Sequence, residues 1–346
     1  MLSREDDYCL LLMGKDNLVY QALNTIHSDK DDAIFRTLYT TVCGSDLRII
    51  SDGDARIVGP RVLGHEVVAE VVTSGSRDDF IPGDVVAIGA DIPCGKCPFC
   101  NTHRENLCVE HIAMGYQLDG GFSTRIVIPS RFLKFAPIVK VPVSIDFAPY
   151  SLAEPLGCVI HGVEFSAVNQ DCTILIIGCG PIGIMLAQVC NIIAKVAKTD
   201  ILLVDPSAKR RAFAESIGFR VLDKVDNVES TLRFDRIFTA TSEVSFQNNL
   251  LGLVQRGGRL NFFGGVPKET SKLFLDSNFL HYSEIALEGS HGSTPSHHKE
   301  AVELISKDVG FWSSLISSRI SLNQLPSYLD RLRRGKEMKV SVHFDK

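Results

Sequence analysis

Four cysteines fall within fifteen residues, CGKCPFCNTHRENLC, at Cys94, Cys97, Cys100 and Cys108. Their C-x2-C-x2-C-x7-C spacing lets thiolates converge on one ion, and tetrahedral zinc accepts four such ligands. Protein sulfur in all four positions leaves none for water or substrate, so a zinc held here is structural. His103 and His111 nearby read as solvated loop residues. A catalytic zinc needs three protein ligands and one open position. Candidates stand earlier in the chain: Cys43 in TTVCGSDLRII, with Ser45 two residues on, and His65 and Glu66 in VLGHEVV. Residue type alone does not select them, because a single Cys or His is usually core or surface.

A second chemistry is written in Gly178-Cys179-Gly180-Pro181-Ile182-Gly183. This is G-x-G-x-x-G, placed between the strand-like TILII (Thr173 to Ile177) and a helical pattern. The first glycine permits the tight turn, the second lets the backbone approach a pyrophosphate, and the third allows close helix–strand packing. A second strand, ILLVD, ends in Asp205. A carboxylate there accepts hydrogen bonds from ribose hydroxyls and repels a 2'-phosphate, which favours NAD over NADP. Lys209 and Arg210 lie close enough to soften that preference.

The elements that must position these residues change character near residue 150. Before it, short apolar runs broken by Gly, Pro and Asp (ARIVGPRVLGHEVVAEVVTSG, IPGDVVAIG, GGFSTRIVIPS) predict many short strands in a barrel-like β unit. After it, strands alternate with helices: TILII, ILLVD, the helical KRRAFAESIGF, FDRIFTAT, a helical stretch near Phe246 to Val254, GRLNFFGG, and EIALEGS (Glu284 to Ser290) as the last strand. That alternation predicts a parallel sheet covered on both faces. The tail holds an amphipathic helix around His297 to Ser306, with His297 and His298 at its exposed start, and ends in the strand-like MKVSVHF. Cys9, Cys158, Cys172, Cys179 and Cys190 read as small apolar fillers, and His161 as pocket lining or packed core.

With 346 residues, 45% of them hydrophobic, the chain is long enough for two domains. The net charge of -5 argues against a nucleic-acid partner. The uncharged run Cys172 to Ala194 is interrupted by glycines and a proline, so it reads as strand, turn and helix rather than a membrane span. The polar MLSREDD start shows no secretory signal, and a cytoplasmic location is expected, where clustered cysteines bind metal more often than they pair.

Taken together, CGSD at Cys43, GHE at Gly64, the four-cysteine lobe, DGGF at Asp119, AEPLGC at Ala153 and GCGPIG at Gly178 occur in one order. In that order the chain resembles the zinc-dependent medium-chain dehydrogenase/reductases, and among them the sorbitol-like polyol dehydrogenases. The resemblance implies an α/β fold: a GroES-like β-barrel catalytic domain over 1–154 with a structural-zinc lobe at 91–111, a Rossmann domain over 155–290, and a tail, 291–346, returning to the catalytic domain. It implies two zinc ions per chain, the catalytic one held by Cys43 and His65, with Glu154 as the acidic ligand and Glu66 as a carboxylate able to swing onto the metal. Ser45 matches the hydroxyl that takes the alcohol's proton, and NAD takes the hydride. A homodimer or homotetramer acting on a small-molecule alcohol, with no membrane or nucleic-acid partner, is the matching expectation.

Several positions depart from the family pattern. Arg48 stands where many relatives carry a relay histidine, and arginine cannot shuttle a proton near neutral pH. Gly120-Gly121-Phe122-Ser123-Thr124-Arg125 replaces the usual GGFAEY, and Ser242 replaces a common glycine. Arg48 and Arg125 lend weight to a second reading, a dehydrogenase of a phosphorylated or amino-bearing substrate such as a sugar phosphate, an aminocyclitol or threonine. A zinc-lobe binding module and a relative that binds NAD without turnover are the remaining alternatives. On the zinc-dehydrogenase reading, losing Cys97 costs stability or assembly first and activity second, whereas losing Cys43 does the reverse.

Overall fold

The computed structural model describes residues 7–23, 28–244, 250–266 and 271–344. The chain forms two compact units, Met1–Gly157 with Gly292–Lys346, and Cys158–His291.

The first unit is built on a mainly antiparallel sheet, whose edge strand Ile316–Ser321 pairs parallel with Lys339–His343. Ala33–Thr41 (AIFRTLYTT) and Glu66–Ser74 (EVVAEVVTS) are rich in β-branched and aromatic residues, and near Thr41 and Glu66 both of their faces are buried. Strand order is Ile138–Lys140, Val85–Ile88, Glu66–Ser74, Ala33–Thr41, Lys339–His343 and Ile316–Ser321, with Arg125–Ile128 also pairing Ala33–Thr41. The C-terminal strand Lys339–His343 thus lies beside the strand leading to Cys43, in the register Ser341↔Thr41 and Val342↔Thr40. On the other side Thr41 faces Glu66. A three-stranded sheet, Asn17–Ala22, Tyr8–Gly14 and Arg61–Val62, completes the unit's larger β structure. Its core includes Leu10, Ile49, Leu63, Phe122, Val340 and Val342.

The tail helix is Pro295–Lys307, and it buries His298, Ala301, Val302, Leu304 and Ile305 on one face. This corrects the expected exposed histidine pair. His297 is the reciprocal capping residue: Thr294 Oγ1 accepts its N–H, and its Nδ1 accepts the Thr294 N–H at 3.1 Å. His298 is fully buried one position further, with Nε2 3.3 Å from the Ala87 carbonyl oxygen. Its place on the apolar helical face, not its polarity, decided its fate. Burial holds its pKa down at about 4, against the opposing pull of the Ala87 and Ala153 carbonyls. An unfolded histidine titrates near 6.5, so the unfolded state binds more protons between those values, and stability present above about pH 6.5 is lost as pH falls toward 4. The loss expected from this residue is about 3 kcal/mol. Denaturant unfolding at pH 7 and pH 4.5 should show it as a slope that His298→Gln flattens.

The second unit is a six-stranded parallel sheet in the order Arg220–Leu222, Ile201–Val204, Ile174–Ile177, Phe234–Thr239, Val254–Phe262 and Ala286–Gly289. In chain order this is 3-2-1-4-5-6, the Rossmann arrangement. ILII and ILLV are buried at every position, as strands covered on both faces require. The uncharged run from Cys172 resolves into strand Ile174–Ile177, the glycine turn and helix Pro181–Ile192. Of the helical stretch expected near 246–254, residues 246–249 lie outside the described residues. Leu251–Leu253 forms one 3-10 turn, and Val254 already begins a strand. No helix among the described residues is long and apolar enough to cross a membrane.

Candidate metal and cofactor sites

The cysteine lobe hangs from a short two-stranded ladder, Asp91↔Ala113 and Ile92↔Ile112. Tight turns then gather the sulfurs, with Cys100 opening the 3-10 turn Cys100–Thr102 and Cys108 closing Glu105–Leu107. All four Sγ atoms lie within 4.8 Å of one another. Cys97 and Cys100 are 3.5 Å apart, and Cys94 and Cys100 3.9 Å. Zinc–sulfur bonds of 2.3 Å give a tetrahedron with edges of about 3.8 Å, so the cage already has the dimensions of a zinc site. All four cysteines are free thiols. Backbone N–H groups point at the sulfurs: Cys94 N lies 3.3 Å from Cys108 Sγ and Cys97 N 3.4 Å from Cys94 Sγ. The Cys100 N–H is the first cause that pulls the Cys97 thiol down to about 6, while burial pushes its neighbour Cys100 up to about 12. His103 is exposed, and His111 is half-buried, with Nδ1 3.0 Å from the Cys108 carbonyl oxygen.

A different constellation surrounds Cys43. Cys43 is the N-cap of helix Gly44–Asp52, and Asp46 Oδ2 accepts its backbone N–H at 2.9 Å. The other Asp46 oxygen lies 3.4 Å from His65 Nδ1, within ion-pair distance though outside hydrogen-bond geometry, so one buried carboxylate holds the cap and stands beside the imidazole. Burial alone would lower the His65 pKa, but Asp46 and then Cys43 overcome it and hold the ring well above its usual range. His65 Nε2 faces Ser45 Oγ at 3.4 Å. Gly64, at φ +90°, makes the turn into His65, and a Cβ there would meet Phe122 at 2.8 Å.

Glu66 is fully buried at the head of its strand. Lys339 Nζ donates to Oε1 at 2.7 Å, and the Thr41 hydroxyl donates to Oε2. The ligand atoms of Cys43, His65 and Glu66 all lie within 4.8 Å of one another. One sulfur, one imidazole nitrogen and one carboxylate oxygen form a zinc-type donor set. Glu154, in the first turn of helix Ala153–Phe165, is not part of that cluster. It is near enough to feel it: burial pushes its carboxyl up to about 7, His65 opposes this, and Glu66 and Asp91 add to it.

In the second unit the three glycines have distinct reasons. Gly178 sits at φ +111°, where a Cβ would meet the Ala240 carbonyl oxygen at 2.7 Å. A Cβ on Gly183 would strike the Gly178 carbonyl oxygen at 1.8 Å. Gly180 caps helix Pro181–Ile192, and a Cβ there would meet nothing nearer than Arg210 Nη1 at 3.8 Å. No internal contact demands glycine at 180. The open space faces a helix N-terminus, where a pyrophosphate fits. Asp205 Oδ2 accepts the Cys179 N–H and Oδ1 the Ser207 N–H, both at 2.8 Å. Arg210 Nη1 stands 3.8 Å from Oδ2. A cavity of about 290 Å³ opens beside them, lined by Gly178, Asp205, Arg210, Lys224 and Thr241 among others. The Cys179 thiol, pushed up to about 12 by burial and then by Asp205, stays protonated and unreactive.

Comparison with known proteins agrees with this geometry. Residues 29–141 match the alcohol dehydrogenase GroES-like domain and residues 181–307 the zinc-binding dehydrogenase family. The chain belongs to the zinc-type medium-chain dehydrogenase/reductases. As a family member it is an oxidoreductase of the class that acts on CH–OH donors. It is 26% identical to D-arabitol-phosphate dehydrogenase of Enterococcus avium, over 95% of this chain and 94% of that one. It is 28% identical to L-galactonate-5-dehydrogenase of Escherichia coli K12, over 80% and 81%. A Sinorhizobium meliloti protein solved bound to NADP superposes with a TM-score of 0.88 at 26% identity, over 98% and 99% of the two chains.

Sequence reasoning about this dehydrogenase missed Asp46 and Lys339. Asp46 carried a signal: an acid three residues after Cys43 is a reciprocal capping position. Lys339 carried one too, as a charge inside the otherwise apolar strand MKVSVHF. Arg125, expected as a possible anion holder, is instead paired with Asp7, Nε to Oδ1 at 3.1 Å, and its side chain is 11% exposed. It sits on a strand paired into the sheet, where a buried cation needs a local counterion.

Proposed function

We propose that this protein oxidises a secondary hydroxyl of a polyol, sugar alcohol or related sugar derivative with NAD, and reduces the ketone in the reverse direction. The carrying observation is the convergence of Cys43, His65 and Glu66 within 4.8 Å in the first unit. The first unit would hold a catalytic zinc on Cys43 and His65, with Glu66 or Glu154 as the acidic ligand. The lobe cysteines would hold a structural one. When bound, zinc acidifies an alcohol and NAD accepts a hydride. This chain's residues do the rest. Ser45 Oγ, which can accept and donate at once, takes the alcohol's proton. Asp46 fixes the imidazole so that Nε2 faces inward. Lys339 and Thr41 hold Glu66 in place in the buried site.

Asp205, Gly178, Gly180, Pro181, Ile182 and Gly183 would bind NAD, with Arg210 beside the adenosine ribose. The carboxylate keeps lone pairs for ribose hydroxyls even while accepting two backbone N–H groups. The names of the two relatives, a polyol phosphate and a sugar acid dehydrogenase, support a sugar-derived substrate. The test is a screen of polyols and their derivatives with NAD and NADP, with metal measured on the same sample. Two zinc ions per chain and NAD-linked oxidation of a polyol-type secondary alcohol are expected. One zinc per chain, or oxidation of primary alcohols alone, would overturn the reading.

A further inference from the structure

Beside the Cys43 centre stands a cation that the zinc and cofactor reading leaves without a role. Arg56 lies on the loop between helix Gly44–Asp52 and His65. Its Nε and Nη2 donate to the two oxygens of Asp54 at 2.9 and 2.8 Å. Its guanidinium lies over the Tyr116 ring, with Cζ 3.9 Å from the centroid. Tyr116 is 7% exposed, and its ring is 5.9 Å from that of His65. The guanidinium and the imidazole are therefore no more than about 10 Å apart. An extended five- or six-carbon chain carrying a terminal charged group is long enough to bridge any separation up to that bound.

A surface ion pair laid on an aromatic ring contributes about 1–2 kcal/mol. Stability alone is a poor reason for this arrangement at the edge of a metal centre. The charge balance points the same way. Asp54 pairs with Arg56 and also feels the more distant charge of Arg48, so two guanidinium groups stand near one carboxylate. Arg48 is exposed on the helix that begins at Cys43, three residues beyond Ser45 and hence on the same helical face. Asp54 uses the Nε–Nη2 edge of Arg56 and Tyr116 contributes one further side-chain hydrogen bond, which leaves part of the five-donor fork over. A planar guanidinium, fixed on two sides and retaining donors, is the group that recognises carboxylate or phosphate oxygens.

Resting on the function proposed above, we propose that Arg56, clamped by Asp54 and laid on Tyr116, docks an anionic group at the far end of the substrate. The substrate is then an alcohol bearing a carboxylate or a phosphate monoester, not a neutral polyol. Arg56 binds and orients; the hydroxyl reacts at the Cys43–His65 centre.

The test compares a pentitol, its 5-phosphate and the corresponding pentonate on the zinc-loaded full chain, with NAD and with NADP. The unsubstituted enzyme should prefer one of the two anions, and which one it prefers identifies the anion. Arg56→Ala should lower kcat/KM for that anion on the order of 100-fold, mainly through KM, and leave the pentitol within about threefold. Arg56→Lys should recover part of the loss, because the charge remains while the fork is gone. An equal loss on all three substrates, or a preference for the pentitol, overturns the proposal. If none of the three is oxidised, the dehydrogenase reading fails first and calorimetric titration of the same compounds decides this one. Anion binding that Arg56→Ala abolishes supports the docking site, and binding that is absent or unaffected overturns it.

Discussion

Cys43→Ser is expected to lower kcat by about 10³-fold or more while leaving the fold and the melting temperature near those of the parent protein. The substitution keeps the shape of the side chain and exchanges a thiolate for a neutral hydroxyl that binds zinc poorly. Lewis-acid stabilisation of developing charge is worth several kcal/mol, which converts to about that factor. The fold should survive because a serine hydroxyl can take the place of the sulfur, which faces the Asp46 N–H in a capping box. Cys43 caps helix Gly44–Asp52 reciprocally with Asp46, which holds its N–H, and serine is a better N-cap than cysteine. Metal content separates this from general damage: the variant should retain one zinc per chain, in the cysteine lobe. Activity unchanged in a correctly folded, zinc-loaded variant would remove Cys43 from the site.

What the sequence made legible, and what it hid, follow from how each feature is encoded. The lobe is local, so four cysteines in fifteen residues reveal their geometry through spacing alone. The glycine turn is local too, and its strand and helix are confirmed by continuous apolar runs of the right length. The centre around Cys43 is not local. It depends on register: Thr41 opposite Glu66 on one side and opposite Ser341 on the other. Those pairings bring Lys339 to Glu66 across 273 positions of sequence, and no window of residues contains that information. His298 was misread for a related reason. Its polarity suggested solvent, but its helical phase places it with Ala301, Val302 and Ile305. Where periodicity and residue type disagreed, periodicity won, because burying the apolar face of the helix outweighs the cost of one neutral imidazole facing a carbonyl.

Lys339→Met is expected to destabilise the metal-free protein by about 3–5 kcal/mol, the usual cost of removing one partner from a buried ion pair. The side chains of Lys339 and Glu66 are 7% and 0% exposed and meet at 2.7 Å. Burial by itself would lower the lysine's pKa, yet Glu66, with Cys43 and Glu154 behind it, raises it, so the ammonium form is held firmly. Methionine fills the space of the stem but leaves Glu66 charged, with only the Thr41 hydroxyl as a donor. The carboxylate can escape part of the penalty by taking up a proton. An unpaired buried carboxylate titrates higher than an unfolded one, so the variant's deficit should grow as pH rises through that interval. The double variant Glu66→Gln, Lys339→Met removes both charges and should recover most of the loss, as a thermodynamic cycle over the four proteins would show. Zinc adds a second discriminator. If Glu66 swings onto the metal, the ion replaces the missing ammonium and the zinc-loaded single variant should lose far less than the stripped one. If Glu154 is the ligand instead, the loss should persist in the loaded protein. A stripped single variant that unfolds within about 0.5 kcal/mol of the parent would mean that the pair carries no net charge coupling, contrary to its burial and geometry.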